Sequence, residues 1–580
     1  MNQLTIYQLC LLTLLILIQG CTQESKQPDN SILKSGISTE YSSFAAIAIP
    51  DKYGAKISQD ILNKGGNAID AAIAAGFSLA VTFIDAGNIG GGGFMTIKMD
   101  NEVAFLDYRE KAPLAAHKDM YLDQDGNVIE NSTLIGGQAA GVPGTVAGFW
   151  KAHQRFGKLP WKDLIEPAIS LAEEGFLPAK ILVDDIQNSL TWFGDKTNFQ
   201  TYFGSIKVNE KFKQPELAKT LKRIAEYGAD DFYHGKTADL IVEQMITSNG
   251  LITKKDLEKY EAKWREPLRA SWRNYEIISS PPPSSGGFAV IQLLKMKDYL
   301  AHLFDGVEHN SPMYIHLVAE MEKRVFADRA EYLGDPDFYD TNIKTLINDD
   351  YIASRAQEVN PDSISKLEGV KPGIESPNTT HYSIVDQWGN AVSNTYTINW
   401  NYGSGVVIEG AGFLLNNEMD DFSAKPGVPN IFGVVGNIAN EIQPEKRMLS
   451  SMSPTIILKD NEVEMVLGTP GGSTIFTSVF QVITNIIDFK MSPFEAIKAT
   501  RFHHQLIPED EITYNGFTID NTLPIETIIS LGDYGYKTIP HSYDFGDMQI
   551  IIKDKTSWIA ASDPRDRGDS RVFRAPILMQ

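Results

Sequence analysis

Cysteine is nearly absent from this chain of 580 residues, and its two cysteines, Cys10 and Cys21, lie in or at the edge of an N-terminal apolar stretch. The rest of the chain therefore offers neither a disulfide nor a thiolate ligand for a metal. His503 and His504 are adjacent, but no acidic or histidine partner stands at ligand spacing from them. We expect no metal site and no cofactor.

Positive charge is also scarce. The chain has 52 Lys and Arg residues against 74 Asp and Glu residues, which gives a formal net charge of −22 at pH 7. Nucleic acids and anionic lipid surfaces bind clustered basic side chains. The charge balance therefore argues against both as partners, although it says nothing about a small anionic ligand, which local groups can bind.

Long apolar runs are confined to the N-terminus, where residues 4–18 are apolar but short for a membrane span. Residues 1–20 resemble a bacterial lipoprotein export signal, after whose removal Cys21 is the acylated first residue. Residues 21–43 then form a flexible tether. The alternative is an ordinary secretory signal or a buried helix with a chance cysteine. The lipoprotein interpretation predicts a periplasm-facing protein of the bacterial cell envelope, held at the membrane only by its lipid anchor.

Helix signals recur along the first two thirds of the chain. Asn67 is placed to cap a helix over residues 68–80. Ser311 followed by Pro312 is typical of a helix start, and Gly334 marks the end of that helix. We assign packing roles, and no chemistry, to both helices.

Strand signals cluster in the last third. Residues 381–385 and 391–398, joined by a turn, predict a hairpin with Thr379 at its exposed head. Residues 462–467 alternate polar and apolar side chains in the manner of another strand. The chain therefore combines helices and strands in one mixed fold.

A glycine-containing turn, residues 468–472 (GTPGG), leads from that last strand into a helix predicted to begin at Ser473. The start of a helix leaves backbone N–H groups without intrahelical acceptors, and such groups bind anions. This geometry suits an oxyanion, although Pro-Gly-Gly is in most proteins only a turn.

Residues 376–386 (SPNTTHYSIVD) predict self-cleavage between Asn378 and Thr379. A threonine inside a chain has no base beside its hydroxyl, whereas a threonine at a new N-terminus carries its α-amine as base. The ordinary pKa of that amine is roughly 7.7 to 8.0, so it can accept the hydroxyl proton near neutral pH. Taken alone, the same residues also suit a turn before a strand.

Segments spread over most of the chain favour the cleavage interpretation. They are residues 65–72 (GGNAIDAA), 90–95 (GGGGFM), 107–110 (DYRE), 143–148 (PGTVAG), 281–287 (PPPSSGG), 328–329 (DR), 331–336 (EYLGDP), 379–382 (TTHY), 415–422 (LNNEMDDF), 449–454 (LSSMSP) and 468–473 (GTPGGS). In this order they resemble the γ-glutamyltransferase (γ-glutamyltranspeptidase) family, from about residue 45 to about residue 510. Each segment is weak evidence alone, but the ordered set is specific.

The resemblance implies an α+β fold, the four-layer αββα sandwich of N-terminal-nucleophile hydrolases, built from two autoprocessed subunits. The large subunit is expected over residues 44–378 and the small, catalytic subunit over residues 379–580, and the two pair with each other after cleavage. The implied enzyme is a γ-glutamyltransferase and glutathione hydrolase. It takes the γ-glutamyl group of glutathione or a related compound and passes it to water or to the amine of an amino acid or dipeptide.

The resemblance also implies roles for individual residues. Thr379 forms the γ-glutamyl ester, Thr397 positions it, and the backbone N–H groups of Gly471 and Gly472 stabilise the oxyanion. Two sets of side chains bind the free end of the donor: Arg109, Ser450 and Ser451 for the α-carboxylate, and Asn399, Glu418 and Asp421 for the α-ammonium.

A lid is expected over the bound γ-glutamyl group, with Phe432 at the position where bacterial relatives commonly have a tyrosine. In those relatives the tyrosine hydroxyl bonds to the asparagine that matches Asn399. Phenylalanine covers the pocket but cannot make that hydrogen bond, so we expect a lid that opens more readily.

Two other functions remain as alternatives. A glutaryl-type β-lactam acylase would use the same scaffold and the same threonine, but a glutaryl group has no ammonium to occupy Asn399, Glu418 and Asp421. A catalytically inactive envelope lipoprotein, used for binding or assembly, would not need the intact nucleophile and oxyanion residues.

Overall fold

A computed structural model describes residues 42–366 and 379–577, apart from residues 426, 429–435, 507, 509, 517–521 and 542–544. The expected export signal and tether with Cys21, the cleavage residue Asn378 and the lid residue Phe432 lie outside the described residues. Within the described ranges, no helix is both long and apolar enough to cross a membrane.

The strands form two large sheets and one small one. Their bounds are β1 (Ser42–Ile49), β2 (Gly92–Met99), β3 (Glu102–Asp107), β4 (Lys263–Arg265), β5 (Leu268–Trp272), β6 (Tyr275–Ser279), β7 (Thr380–Val385), β8 (Ala391–Thr397), β9 (Thr455–Lys459), β10 (Glu462–Gly468), β11 (Arg501–His503), β12 (Glu511–Asn515), β13 (Lys537–Pro540), β14 (Gln549–Asp554), β15 (Ser557–Ser562) and β16 (Asp569–Pro576). The first sheet has the order β16-β1-β7-β8-β2-β3-β4, the second β15-β14-β10-β9-β6-β5, and the third β11-β12-β13. Neighbouring strands in both large sheets are antiparallel.

Helices accompany both large sheets. Their bounds are α1 (Lys52–Asn63), α2 (Ala68–Thr82), α3 (Thr145–Phe156), α4 (Trp161–Glu174), α5 (Lys180–Phe193), α6 (Phe199–Phe203), α7 (Pro215–Tyr227), α8 (Ala229–Tyr233), α9 (Lys236–Thr247), α10 (Lys254–Glu258), α11 (Gly286–Tyr299), α12 (Ala301–Phe304), α13 (Pro312–Tyr332), α14 (Ile343–Leu346), α15 (Asp349–Gln357), α16 (Thr474–Ile487), α17 (Pro493–Lys498) and α18 (Ile525–Tyr534). Short 3-10 turns lie at Gly137–Ala139, Glu418–Asp421 and Ile438–Asn440.

Three hydrophobic clusters define the layers. One joins helices from α1 to α9 to the first sheet, and a second joins α11, α13, α16 and later helices to the second sheet. The third lies between the two sheets, where Ala46 and Val385 of the first meet Ile456, Val466 and Ile551 of the second. The order helix, sheet, sheet, helix is the predicted αββα sandwich.

The helix predictions are confirmed at their N-termini. Helix α2 begins at Ala68, and Asn67 and Asp70 form a capping box in which each side chain accepts a hydrogen bond from the other residue's backbone N–H. Helix α13 begins at Pro312, with the Ser311 side chain accepting from the backbone N–H of Tyr314. The strands predicted after Thr379 and the helix predicted from Ser473 are also present.

Strands from the two sides of the Asn378–Thr379 bond alternate in the first sheet. Strand β1, from the N-terminal side, lies between β16 and β7, which both come from the C-terminal side. Strand β8 in turn pairs with β2. In the second sheet, β9 pairs with β6 across the same division. The two parts of the chain therefore share both sheets.

Candidate active site

Thr379 lies immediately before β7, an interior strand of the first sheet. Strands β7 and β8 pair so that Thr380 is opposite Tyr396, which brings Thr379 beside Thr397 at the end of β8. The Thr379 hydroxyl donates a hydrogen bond to the Thr397 hydroxyl at 3.3 Å. Thr397 Oγ1 also accepts from the backbone N–H of Asn399 at 2.7 Å, so the local backbone holds the neighbour of the candidate nucleophile in place.

A close backbone approach supports this end of β8. Gly91 lies just before β2, and a Cβ atom at Gly91 would be 2.0 Å from the carbonyl oxygen of Thr397. Any larger residue would push β8 away from β2. The glycine run at residues 90–93 therefore lets a neighbouring strand lie against the candidate site.

The glycine turn after β10 leads directly into α16, as predicted. Gly471 and Gly472 have φ angles of +134° and +55°, which favour glycine. Among the described residues, no acceptor lies within hydrogen-bond distance of the N–H group of either glycine. Two backbone donors at the start of a helix of 14 residues are thus available to an oxyanion.

Arg109 lies two residues after β3 and is the centre of a buried ion cluster. Its Nη1 atom is 2.5 Å from Glu418 Oε2 and 3.5 Å from Glu110 Oε2, and its Nη2 atom forms an ion pair with Asp421. The Arg109 side chain is only 1% exposed. One guanidinium therefore faces three carboxylates, of which Glu110 and Glu418 are fully buried and Asp421 is 14% exposed.

The pKa shifts in this cluster follow from burial and from the excess of acid. Burial raises the pKa of Glu110 to about 8 and raises the pKa values of Glu418 and Asp421 as well, while Arg109 opposes all three shifts. Burial alone lowers the pKa of Arg109, but Glu418, Asp421 and Glu110 together raise it above its ordinary value. The cluster keeps its cation and has capacity for a second one.

Ser450 and Ser451 are held by the segment at residues 281–287. The backbone carbonyl of Ser450 accepts from both the N–H and the hydroxyl of Ser285, each at 2.8 Å. The Arg329 guanidinium donates to the Ser285 hydroxyl at 3.0 Å and to the Ser451 hydroxyl at 3.3 Å. A second arginine therefore contacts Ser451 directly and Ser450 through Ser285.

One cavity brings the predicted residues together. It is lined by Arg109, Arg329, Thr379, Thr397, Asn399, Glu418, Asp421, Ser450, Ser451, Met452, Gly472, Ser473 and Ile475. Of the predicted catalytic and donor-binding residues, only Gly471 does not line it. A second cavity, of about 550 Å³, shares Thr379 with the first and no other described lining residue. Thr379 therefore stands where two cavities meet.

Arg329 and Glu110 were missed as site residues. Both belong to sequence segments that carry the family resemblance, but those segments do not reveal what each side chain contacts. Arg329 comes from α13, and Glu110 from the loop after β3. Their positions beside Ser451 and Arg109 depend on tertiary contacts between distant parts of the chain.

His503 has a hydrogen-bonding role. Its ring nitrogens lie 3.0 Å from the Thr477 hydroxyl and 3.3 Å from the Ser473 hydroxyl. Across the residues with described positions, no group of three or more His, Cys, Asp or Glu side chains is arranged to hold a metal ion.

Comparison with known proteins decides the family. The profile of the family described as Gamma-glutamyltranspeptidase matches residues 54–573. The chain belongs to this family. It is 56% identical over 529 residues to the glutathione hydrolase proenzyme of Pseudomonas aeruginosa, covering 91% of this chain and 94% of that protein. It is 41% identical over 539 residues to the glutathione hydrolase proenzyme of Escherichia coli, covering 90% of each.

Solved structures of related proteins agree with this assignment. The γ-glutamyltranspeptidase of Pseudomonas nitroreducens is 57% identical with a TM-score of 0.54, and the match covers 55% of this chain and 94% of that chain. The cephalosporin acylase of Bacillus halodurans is 25% identical with a TM-score of 0.79, and the match covers 94% of this chain and 99% of that chain. This chain therefore has the predicted fold, which γ-glutamyltranspeptidases share with an acylase.

Proposed function

We propose that this protein is a γ-glutamyltransferase and glutathione hydrolase whose nucleophile is Thr379. The observation that carries the proposal is the position of Thr379 at the junction of two cavities, one of which contains an arginine, a serine pair and buried acids. Relatives at 56% and 41% identity are named glutathione hydrolase proenzymes. The same geometry gives each predicted residue a distinct task.

The proenzyme cleaves itself between Asn378 and Thr379. The Thr379 hydroxyl attacks the carbonyl carbon of Asn378, and the peptide C–N bond breaks as the ester C–O bond forms, which frees the α-amine of Thr379. Water then hydrolyses the ester, giving the carboxylate of Asn378 and restoring the Thr379 hydroxyl. The large subunit then comprises residues 44–378 and the small subunit residues 379–580. The match of one solved transpeptidase chain to 55% of this chain supports such a division.

The catalytic cycle uses the amine that cleavage creates. The Thr379 amine takes the hydroxyl proton while the oxygen attacks the γ-carbonyl of the donor, and Thr397 orients the hydroxyl. The N–H groups of Gly471 and Gly472 stabilise the tetrahedral oxyanion, and each raises the reaction rate by a factor on the order of 10² to 10³. The amine then returns the proton to the departing amine of the donor.

The ion cluster around Arg109 suits a zwitterion. The α-carboxylate of the γ-glutamyl substrate accepts hydrogen bonds from Arg109 and the serine pair. The α-ammonium of the substrate takes the place of the guanidinium beside Glu418 and Asp421. Glu418 and Asp421 thereby keep a cationic partner while Arg109 gains the donor's carboxylate. A glutaryl group would compete for Arg109 and supply no ammonium, leaving buried carboxylates unpaired at a cost of about 3 to 5 kcal/mol.

The resulting ester is passed to water or to an amine. We assign the second cavity to the incoming acceptor, because it reaches Thr379 without sharing the donor residues. Amino acids and dipeptides are the proposed amine acceptors. Acceptor attack re-forms an amide and returns the proton to Thr379 Oγ1.

We also propose that the enzyme lies in the bacterial cell envelope, facing the periplasm, with Cys21 as the lipid anchor. The support is the sequence of residues 1–25 together with the polar tether before β1. The lid role of Phe432 rests likewise on the sequence resemblance.

The resemblance to a cephalosporin acylase makes acylase activity the second candidate. The buried pair Glu418 and Asp421 disfavours it for the reason given above. A dead scaffold protein is disfavoured by the unoccupied donors of the oxyanion loop and by the Thr379–Thr397 hydrogen bond.

One experiment separates these functions. Purified Thr379→Ala protein is expected to stay a single chain and to be inactive, whereas Thr379→Ser retains a hydroxyl and is expected to split and to turn over slowly. Activity is measured as release from γ-glutamyl-anilide beside release from a glutaryl-anilide. Cleavage of Thr379→Ala at the same bond would refute self-processing, and a preference of the wild type for the glutaryl compound would favour the acylase.

A further inference from the structure

The second cavity is rich in acid. Its lining includes Asp85, Asp185, Asp547 and Asp566, against the two basic residues Arg565 and Arg567. The balance of charge is thus negative beside the nucleophile, on the side away from the donor cluster.

Both arginines already have carboxylate partners. Arg567 forms an ion pair with Asp85 and lies 3.8 Å from Asp566 Oδ1. Arg565 Nη1 is 3.0 Å from Asp563 Oδ1, an acid that does not line the cavity. Among the residues that the structure describes, no basic side chain lies within ion-pair distance of Asp185 or Asp547.

Asp547 is the more buried of these two acids, at 6% exposure. Its Oδ1 atom accepts from the Gln549 side chain at 2.7 Å, but its Oδ2 atom has no hydrogen-bond partner in the described part of the chain. Buried polar atoms without a partner are uncommon because they lose their hydration without compensation. Burial, followed by Asp566 and Asp563, raises the pKa of Asp547. A cationic ligand would relieve both penalties.

The backbone fixes Asp547 beside the oxyanion loop. Gly546 has a φ of +72°, and a Cβ there would lie 2.2 Å from the carbonyl oxygen of Pro470. The preceding residue therefore packs directly on the turn that contains Gly471. The backbone therefore holds Asp547 close to the turn that contains Gly471.

Asp185, on α5, faces the same cavity with only neutral partners. It accepts from the Tyr402 hydroxyl at 2.8 Å and from the Asn401 side-chain amide at 3.1 Å. Burial and the nearby Asp85 raise the pKa of Asp185 to about 6. Trp192 and Trp400 also line the cavity, and aromatic faces attract guanidinium and ammonium groups.

We propose that this cavity selects acceptors that carry a positive charge in addition to the attacking amine, and that Asp547 and Asp185 bind that charge. The inference rests on the proposed transferase function and names the acceptor class for it. The cation that the two carboxylates bind is distinct from the attacking amine. The attacking amine must be neutral when it forms the new amide bond and displaces Thr379 Oγ1, so the cation bound by the carboxylates has to be another group of the acceptor.

The test compares two acceptors of nearly equal size. L-Arginine carries a guanidinium where L-citrulline carries a neutral urea. With γ-glutamyl-anilide as donor and processed enzyme, transfer product is measured against acceptor concentration. We expect the KM for arginine to be about tenfold lower than that for citrulline, a ratio between those of exposed and buried ion pairs.

Three variants locate the effect. Asp547→Asn is expected to reduce the preference for arginine over citrulline to about twofold or less. Asp185→Asn is also expected to reduce this preference. The second variant keeps the test decisive if the first fails to undergo self-cleavage. The matched control is Asp184→Asn, because Asp184 is the exposed neighbour on α5 that pairs with Lys180 and does not line the cavity; it is expected to keep the full preference.

Equal KM values for arginine and citrulline in the wild type would overturn the inference, as would an arginine preference that survives in both Asp547→Asn and Asp185→Asn. Failure of the wild type to release any aniline from γ-glutamyl-anilide would instead overturn the proposed function. The two failures are therefore distinguishable in one set of assays.

Discussion

Replacing Arg109 by lysine tests whether this residue grips the donor. Lysine keeps the positive charge among Glu110, Glu418 and Asp421 but loses the planar fork that can hold a carboxylate with two parallel hydrogen bonds. In the structure one guanidinium reaches Glu418 through Nη1 and Asp421 through Nη2. A single ammonium cannot reproduce the two parallel hydrogen bonds that this fork can make to the donor's carboxylate.

The expected loss is one charge-assisted hydrogen bond, worth about 1.5 to 3 kcal/mol. That corresponds to a fall in kcat/KM of about 10-fold to 150-fold. The α-carboxylate is remote from the reacting carbonyl and is bound equally in the ground and transition states, so most of the change should be in KM. Self-cleavage should continue in Arg109→Lys, because no donor is present at that step and the acids keep a counter-charge.

The alanine variant should behave differently. Arg109→Ala leaves three buried carboxylates without their central cation, and breaking a buried pair costs about 3 to 5 kcal/mol. We therefore expect Arg109→Ala to impair folding and cleavage as well as binding, so that alanine alone cannot report on donor recognition.

The assay is the steady-state release of aniline from γ-glutamyl-anilide by processed Arg109→Lys, with a denaturing gel to measure processing. Arg447→Lys is the matched control, because Arg447 is equally buried, lies 3.3 Å from Asp107 and does not line the donor cavity. A donor KM for Arg109→Lys within twofold of the wild type, with Arg447→Lys unchanged, would remove Arg109 from the donor pocket.

One further prediction concerns the ion cluster, and two rest on the sequence. Asp421→Asn should lower kcat/KM for γ-glutamyl-anilide by about 10-fold to 150-fold, since one charge-assisted bond to the α-ammonium is lost, and should reduce the enzyme's preference for this substrate over a glutaryl-anilide. The neighbouring control is Asp420→Asn, because the Asp420 carboxylate accepts a hydrogen bond from the Thr133 hydroxyl at 2.5 Å. An equal loss of kcat/KM in both variants would indicate a structural effect. Cys21→Ala should give an active enzyme that leaves the detergent phase on partitioning, whereas retention in detergent would indicate an uncleaved apolar segment. Phe432→Tyr should change the ratio of glutamate to transfer product at fixed acceptor concentration, because a neutral hydrogen bond of about 0.5 to 1.5 kcal/mol is restored to the lid; an unchanged ratio would show that the latch does not control partitioning.

Local patterns accounted for the elements around the nucleophile. The hairpin after Thr379, the glycine turn before α16 and the Asn67 cap are each set by neighbouring residues, so a sequence pattern can indicate them. The αββα layers and the donor residues required the family resemblance, because no local pattern fixes how the sheets stack.

Contacts between distant residues could not be predicted in the same way. Arg109 and Asp421 are separated by 312 positions, and Arg329 and Ser451 by 122. The excess of acid around Arg109 and the acid side of the second cavity arise only when these segments are folded together. The family resemblance therefore proposed the donor residues without revealing that Arg109 pairs with Glu418 and Asp421.

With the proposed cleavage at the Asn378–Thr379 bond, the alternation of strands across this bond makes refolding different before and after cleavage. The uncut precursor can refold as one molecule, but the denatured mature enzyme consists of two chains that must first meet, so its recovery becomes second order in protein concentration. Strand β1 would have to re-enter between β16 and β7 of the other chain. At low concentration the mature enzyme should persist through its slow rate of unfolding and not through a reversible equilibrium. Only the uncut precursor can refold in a unimolecular reaction, and the cleavage that creates the catalytic N-terminus removes that pathway.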